Sequence, residues 1–147
     1  PKPRPVRPTE LHRCSYSPHC QAELLIDGLT DDVAFVWVVT HLGLRDNPPA
    51  LIRPPSADEI AEALRVLERL SEVDLVKVGR TEYVDGGPPG RVAPVRHVEE
   101  PMGVVGERVR AACAHGMDGG WEWSCWVVNT EAGDAVARRV LGEASER

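Results

Sequence analysis

The most regular pattern of apolar and polar positions is in SADEIAEALRVLERLSE, residues 56–72. Apolar residues recur there three and four positions apart, which places them on one stripe of a helix. Ser56 and Glu59 have the capping-box spacing, in which each side chain accepts a hydrogen bond from the other residue's backbone N–H. The pattern predicts a helix over 57–71 that buries Ile60, Ala63, Leu64, Leu67 and Leu70.

The segment LTDDVAFVWVVTHLG, residues 29–43, is open to two interpretations. Its β-branched residues favour a strand. However, Thr30 and Asp31 are good N-caps, Gly43 stands where a helix-ending glycine would, and the segment is long for a strand. We therefore predict a buried helix, followed by a loop because residues 45–55 contain four prolines.

Residues 76–98 have the pattern of a β-hairpin. Two runs rich in β-forming residues, 76–84 and 92–98, flank the glycine- and proline-rich sequence DGGPPGR. Pro94 lacks a backbone N–H and therefore marks the second run as an edge strand.

Residues 99–147 predict a helix, a strand and a second helix. Helical spacing predicts the first helix, with an apolar side formed by Val105, Val109, Ala112 and Cys113. WEWSCWVV, residues 121–128, predicts the strand. Thr130 then caps a final helix, whose apolar positions are Val136, Ala137, Val140 and Leu141.

Three of the four tryptophans lie in that predicted strand. Because side chains alternate along a strand, Trp121, Trp123, Cys125 and Val127 would share one face and Trp126 the other. Because Cys125 and Val127 would lie on the same face, we predict core or dimer-interface packing for Trp121 and Trp123. A stacking platform for a single-stranded nucleic acid is the less favoured alternative, since no Lys or Arg accompanies the tryptophans.

The composition restricts the class of protein. The 147 residues suit one domain with its own core. No apolar run is long enough to span a membrane and no export signal is visible, so we expect a cytoplasmic protein with reduced cysteines. The net charge of −6 argues against bulk nucleic-acid binding but leaves room for a local basic patch.

The sequence PKPRPVRP, residues 1–8, is basic and rich in proline. Alternating prolines predict an extended, flexible arm over 1–13. We interpret this arm as a solvated segment, and the alternative is a contact with a phosphate backbone.

Cysteines and histidines raise the question of a metal site, because several stand close together: His12, Cys14, His19 and Cys20, and then Cys113 and His115. Zinc ligands in a structural site are typically separated by two to four residues. Cys14 and Cys20 have five residues between them. We therefore expect no bound metal.

Catalytic patterns are sparse. The sequence contains no nucleophile-elbow, zinc-protease, phosphate-loop or dinucleotide-binding motif. The nearest candidate for acid–base work is His97, which precedes Glu99 and Glu100. Charged residues at a strand end meet more often by chance, so we expect neither a cofactor nor catalysis.

The order of predicted elements over 29–98 resembles a winged-helix domain. The resemblance is carried by SADEIAEALRVLERLSEVDLVKVGRTEYV and by the wing-like DGGPPGR. It implies an α+β fold, with a winged-helix-like core over 14–98 and a C-terminal helix–strand–helix extension over 99–147 that would form a dimer interface. The sequence departs from the family pattern where a short helix should precede the recognition helix, because RDNPPALIRPP is poor helix material.

The resemblance implies a non-catalytic, homodimeric transcriptional regulator that binds double-stranded DNA. Its DNA contacts would come from the hairpin and from the exposed side of helix 57–71, through Lys77, Arg80, Arg91, Arg96 and Arg65. Asp58, Glu59 and Glu62 at the start of that helix would repel phosphates, and a Glu62–Arg65 pair is expected on its exposed face.

Two alternatives remain open. The first is a winged-helix module that binds a protein partner through an acidic docking face, which the acidic helix and the negative net charge favour. The second is a small enzyme of unknown class.

Overall fold

The computed structural model describes residues 18–42, 54–83 and 95–145. Within them the elements are α1 (Pro18–Asp27), β1 (Val33–Ala34), α2 (Phe35–His41), α3 (Ala57–Glu72), β2 (Val76–Tyr83), β3 (Val95–Glu99), α4 (Met102–Ala114), β4 (Trp126–Asn129) and α5 (Glu131–Ser145). The fold is therefore of the α+β class, as the sequence predicts. The arm over 1–13, most of the loop over 45–55 and the DGGPPGR turn lie outside the described residues. No helix of the described part is long and apolar enough to cross a membrane.

The strands form one antiparallel sheet in the order β1–β4–β2–β3. Val78 of β2 is in register with Val127 of β4, which is in register with Val33 of β1. All three side chains are buried, so this row of the sheet faces the core. The region 99–147 thus contributes an inner strand, and β3 lies at an edge as Pro94 predicts.

Helix α3 is the helix that the apolar stripe predicts. The Ser56 Oγ accepts from the Glu59 N–H at 3.2 Å, and the Glu59 Oε1 accepts from the Ser56 N–H at 2.8 Å. The five predicted core residues are buried. Glu62, expected on the exposed face, is also buried, and its Oε2 accepts from the Arg65 Nη1 at 2.9 Å. That ion pair is the predicted one.

Helix α1 is not predicted from the sequence. It carries two helix signals, Pro18 at its first position and Gly28 just after its last. Its apolar residues Leu24, Leu25 and Ile26 are consecutive rather than spaced along a stripe, so periodicity does not reveal the helix. Leu24 and Leu25 are nevertheless buried in the core.

The prediction of a single helix over 29–43 is wrong at its start. The Thr30 Oγ1 donates to the Asp27 carbonyl at 3.2 Å, so Thr30 closes α1 instead of opening the next helix. Val33 and Ala34 then pair with β4 as strand β1, and only Phe35–His41 is helical. The strand that the β-branched residues favoured thus forms, but only at Val33 and Ala34, the first two residues of the apolar run.

The prediction of a strand over 121–128 is wrong for its first half. Gly120 adopts a left-handed conformation with φ of 66°, which turns the chain into a 3₁₀ helix over Trp121–Trp123. The Ser124 Oγ donates to the Trp121 carbonyl at 2.7 Å and closes that turn. Pairing with β1 and β2 begins only at Trp126.

As a result, Trp121 and Trp123 do not share one face, as the strand prediction requires. Trp121 is fully buried and packs edge-to-face on Phe35, with ring centroids 6.5 Å apart. Trp123 is 57% exposed and stacks on Trp126, with centroids 6.0 Å apart. Core packing is therefore confirmed for Trp121 and wrong for Trp123, and packing of Trp123 at a dimer interface stays a prediction.

The last two helices are close to their predictions. In α4, Val105, Val109 and Cys113 are buried. The Thr130 Oγ1 accepts from the Gly133 N–H at 3.0 Å and so caps α5. Leu141, predicted on the apolar stripe of α5, is instead 42% exposed, although Ala137, one turn earlier on the same side of the helix, is fully buried.

The two neighbouring tryptophans offer a matched test of the packing. We expect Trp121→Ala to lower the free energy of unfolding by about 3–5 kcal/mol, because it removes a fully buried ring and leaves a cavity. Trp123→Ala should cost about 1 kcal/mol or less, since it removes only a stacking contact on an exposed ring. Urea denaturation of both variants measures the difference. Equal losses would contradict this arrangement of the two rings.

Candidate functional site

On the hairpin, two of the predicted DNA contacts share one carboxylate. Glu82 accepts from the Arg80 Nε at 3.1 Å and from the Arg96 Nη2 at 2.7 Å. These hydrogen bonds, Arg96 first and then Arg80, lower the pKa of Glu82 below its ordinary value. Arg80 also donates to Glu100 at 3.2 Å. The positive charge of this part of the hairpin is therefore balanced locally.

Of the remaining predicted contacts, the two that the structure describes, Lys77 and Arg65, each lie beside a carboxylate of their own. Lys77 is three residues from Arg80 on β2, so the two side chains leave opposite faces of the sheet. The Lys77 Nζ lies 3.9 Å from a Glu99 oxygen. Arg65 is on α3, paired within its own helix, and Arg91 lies outside the described residues.

Glu100 is tied more strongly to Arg108 than to the hairpin. The Arg108 Nη1 and Nη2 donate to the two Glu100 oxygens at 3.0 and 2.7 Å. The same guanidinium donates to the backbone carbonyls of Ser124 at 2.8 Å and Gly79 at 3.2 Å. Hydrogen bonds from Arg108 lower the pKa of Glu100, against a smaller opposing effect of burial. The Arg108–Glu100 pair therefore connects α4 to β2 and to the residues before β4.

His97 does not form an acid–base pair with the neighbouring glutamates. Its Nε2 lies 3.1 Å from the Trp126 carbonyl oxygen, so the ring is engaged by the backbone of β4. Glu100 is turned toward Arg108 instead.

The expectation of reduced cysteines is wrong for Cys20, which is disulfide-bonded. The expected cellular compartment predicts whether cysteines are reduced in general, but it does not predict which pairs of sulfur atoms lie within bonding distance. Cys113 and Cys125 are buried thiols, and burial raises the pKa of Cys125 to about 12, so this group is protonated and unreactive at neutral pH. Cys14 lies outside the described residues.

The histidines and cysteines of the described residues do not form a metal centre. In the part of the chain that the structure describes, no three His, Cys, Asp or Glu side chains are grouped to hold one metal ion. His12 lies outside that part. The absence of zinc stays a prediction.

A cavity of about 640 Å³ lies beside α1, α2 and the turn between them. Its described lining residues are Glu23, Ile26, Asp27, Asp31, Asp32, Trp37 and His41. Helix α1 contributes Glu23, Ile26 and Asp27, and α2 contributes Trp37 and His41. Residues three or four positions apart lie on the same side of a helix, so each helix presents one side to the cavity. The turn contributes the two consecutive aspartates.

Hydrogen bonds hold several of these side chains in position. The His41 Nε2 is 2.9 Å from the Asp27 Oδ2, which joins α2 to α1. The Asp31 Oδ1 accepts from the Asp32 N–H at 2.8 Å. The Thr81 Oγ1 donates to the Asp32 Oδ2 at 3.4 Å, which ties the turn to β2.

The chemistry of the cavity suits a cation. Four of its described lining residues are carboxylates, and none is Lys or Arg. A cleft lined by charges of one sign concentrates the electrostatic potential. Trp37 is 40% exposed, and an indole face attracts ammonium and guanidinium groups. Since no three-donor group is present among the described residues, an extended organic cation fits better than one metal ion.

None of these residues belongs to the predicted site. The sequence predicts Asp31 as a helix cap, whereas it lies in the turn between α1 and β1. The i, i+4 spacing of Trp37 and His41 was the available signal for a shared face, but the residues of α1 could not be added without knowing how α1 and α2 pack.

Compared with known proteins, the chain matches no protein-family model, no curated protein and no solved structure. The cavity and the charged surface of the hairpin are therefore the features that bear on function.

Glu100 predicts a pH-dependent part of the stability. Its pKa is lowered in the folded state, so its contribution is complete above the ordinary carboxyl pKa, about 4.3, and is lost as the pH falls through the folded value. We expect Glu100→Gln to cost about 2 kcal/mol at pH 7, and the difference from the native protein to shrink below about pH 4.

Glu99→Gln is the matched control, because Glu99 is the adjacent residue, its side chain is exposed, and its one ion pair with a described residue is to Lys77 at 3.9 Å. It should change the stability by about 0.5 kcal/mol or less. Chemical denaturation across a pH series measures both variants. A Glu100→Gln deficit that is the same at pH 3 and pH 7 would contradict the charged Arg108–Glu100 pair.

Proposed function

We propose that this protein is a non-catalytic interaction module that binds a basic segment of a protein partner in the acidic cavity. The observation that carries the proposal is the combination of four carboxylates with the exposed ring of Trp37 in one cavity. Arginine side chains of a peptide can form charge-assisted hydrogen bonds to carboxylates and also stack on an indole. The net charge of −6 favours a basic partner over a nucleic acid.

The winged-helix resemblance is part of the proposal. It is supported by the order α1, α2, α3, β2, β3, in which the short helix α2 precedes α3. The sequence pattern lacked that short helix because α1 was not predicted. Strand β4, inserted between β1 and β2, is a departure from a simple core with an appended extension.

A DNA-binding transcriptional regulator is the second proposal. Its support is the exposure of Arg96 and Arg65, whose side chains are 69% and 62% exposed. The Arg96–Glu82 ion pair lies at the surface and contributes little, so a phosphate can replace the Glu82 carboxylate at the Arg96 guanidinium.

We also propose a homodimer. Its support is that Val104, Trp123 and Leu141, all in the region 99–147, are large apolar residues left exposed in the single chain. Apolar surface of this kind is commonly covered by a partner.

The first test is peptide binding by the full chain. We expect a fluorescein-labelled peptide of four Arg-Pro repeats to bind saturably at low salt, and Asp31→Asn combined with Asp32→Asn to weaken binding by about tenfold or more, since two charge-assisted contacts are lost. Fluorescence anisotropy gives both affinities.

The matched control removes two carboxylates elsewhere. Glu68 and Glu72 are exposed on α3 and do not line the cavity, so Glu68→Gln with Glu72→Gln should leave the affinity within about twofold, the residual being long-range attraction. If both double variants lose affinity equally, binding reflects net charge alone and the cavity proposal is wrong.

DNA binding requires the opposite dependence. Under the second proposal, Arg80→Ala with Arg91→Ala weakens binding to duplex DNA of any sequence, and each lost phosphate contact reduces the slope of log K against log salt by about 0.9. Glu59→Gln with Glu62→Gln leaves that binding unchanged or tighter. If no salt-sensitive DNA binding is detected at about 50 mM salt, the regulator proposal fails.

A further inference from the structure

A second cavity, of about 350 Å³, lies between the start of α3 and the end of α4. It shares no described lining residue with the acidic cavity. Its described lining residues are Pro55, Ala57, Ile60, Arg110, Cys113 and Ala114. Arg110 is the only charged residue among these six. We propose that this cavity binds a small amphipathic carboxylate, whose apolar body fills the cavity and whose anionic group pairs with Arg110.

The packing of α3 on α4 explains why space remains here. The two helices approach closely at Gly106, because a Cβ on this residue would lie 3.6 Å from the Leu64 Cδ1. Near the start of α3 and the end of α4, the lining residues include Ala57 and Ala114. Their side chains are too small to fill the space between the helices, so an apolar cavity is left at this end of the contact.

The guanidinium of Arg110 can pair with an added anion. A Cβ on Gly106 would lie 2.9 Å from the Arg110 Nη1, so the guanidinium lies over a buried glycine. Arg110 forms no ion pair with a described residue, and Glu107, three positions earlier on α4, is not paired with it. The planar fork of N–H donors matches the two oxygens of a carboxylate. A cation beside apolar surface attracts an anion more strongly than one surrounded by water.

The burial of the lining residues gives the ligand an orientation. Pro55, Ile60 and Cys113 are buried, whereas Arg110 is exposed, so the carboxylate would stay near water and the apolar body would point inward. A dianion such as phosphate would bring a second charge for which the described lining residues offer no second cation.

The volume sets the size of the ligand. A water molecule takes about 30 Å³ in the liquid, so a cavity of about 350 Å³ has room for on the order of ten non-hydrogen atoms. Ligand cavities in proteins begin at about 300 Å³, so this one suits a small ligand rather than a large cofactor. Octanoate has the required size, charge and apolar tail, and it is the probe for the test.

Isothermal titration calorimetry of the full chain compares octanoate with octanol, which has the same tail and no charge. We expect octanoate to bind with a dissociation constant on the order of 0.1 mM. Octanol should bind about tenfold or more weakly, because it cannot form the ion pair. Arg110→Gln should weaken octanoate binding by about tenfold or more and remove the preference over octanol.

Two further variants serve as controls. Arg139→Gln removes an exposed arginine of α5 that does not line the cavity, so the affinity for octanoate should stay within about twofold. Ala114→Leu adds a larger side chain at an exposed position of the cavity wall, so octanoate and octanol should both bind more weakly. This second variant tests the cavity without changing any charge.

Methyl NMR locates the ligand, because two isoleucines line different cavities. Ile60 lines the cavity between α3 and α4, and Ile26 lines the acidic cavity. In protein labelled at the isoleucine δ1 methyl groups, octanoate should shift the Ile60 resonance and leave the Ile26 resonance unchanged. Ile60→Val assigns the first resonance by removing it. An unchanged Ile26 resonance in Arg110→Gln shows that this variant is folded.

Four results would overturn the proposal. Equal affinities of the native chain for octanoate and octanol exclude recognition of the carboxylate. Equal losses in Arg110→Gln and Arg139→Gln assign the binding to net charge. A shift of the Ile26 resonance instead of the Ile60 resonance places the ligand in the acidic cavity. Absence of binding at concentrations up to about 5 mM rejects the site altogether. The proposed function stands or falls separately, because its peptide test changes only residues outside this cavity.

Discussion

The guanidinium of Arg108 joins parts of the chain that are far apart in sequence. It donates from α4 to the carbonyl of Gly79 in β2, to the carbonyl of Ser124 just before β4, and to both oxygens of Glu100. Gly79 and Ser124 are both buried, and a buried carbonyl left without a donor costs about 1–3 kcal/mol. The Arg108 side chain thus connects α4 to the backbone of β2 and of the residues just before β4. The charge of its guanidinium is balanced by the Glu100 carboxylate, which is largely buried.

This contact depends in turn on a glycine. A Cβ on Gly79 would lie 1.8 Å from the Val98 carbonyl oxygen, so only glycine permits β3 to approach β2 at this point. The Glu100 N–H donates to the Val78 carbonyl at 3.0 Å and holds the chain there as it leaves β3. Glu100 is thereby brought to Arg108.

The features that the sequence predicts are those that neighbouring residues determine. The capping box of α3 and the Glu62–Arg65 pair involve positions three residues apart, and both form as predicted. The hairpin needs only two β-rich runs and a turn. The position of β4 inside the sheet depends instead on pairing with β1 and β2, which are about 90 and 50 residues earlier, and local patterns contain no information on that choice.

The same limit explains why the cavity could not be predicted. Its walls are positioned by distant contacts: Asn129 at the end of β4 donates to the Leu25 carbonyl of α1 at 2.7 Å, and Thr81 of β2 donates to Asp32. The sheet therefore fixes the helix and the turn that carry the acids. The alternation rule failed at Trp121 and Trp123 for a related reason, since Gly120 changes the backbone from a strand to a 3₁₀ turn.

A cavity held by its own hydrogen bonds favours one kind of ligand. The His41–Asp27 contact and the bonds to Asp31 and Asp32 orient carboxylates before any ligand arrives. Binding then requires little ordering of the protein, and most of the remaining entropy cost lies with the ligand. A proline-rich basic segment has a restricted backbone, so it loses less conformational freedom than a flexible peptide with the same charges. Under the proposed function, charge favours a cation in this cavity, and conformational entropy favours, among cationic peptides, those that are already extended.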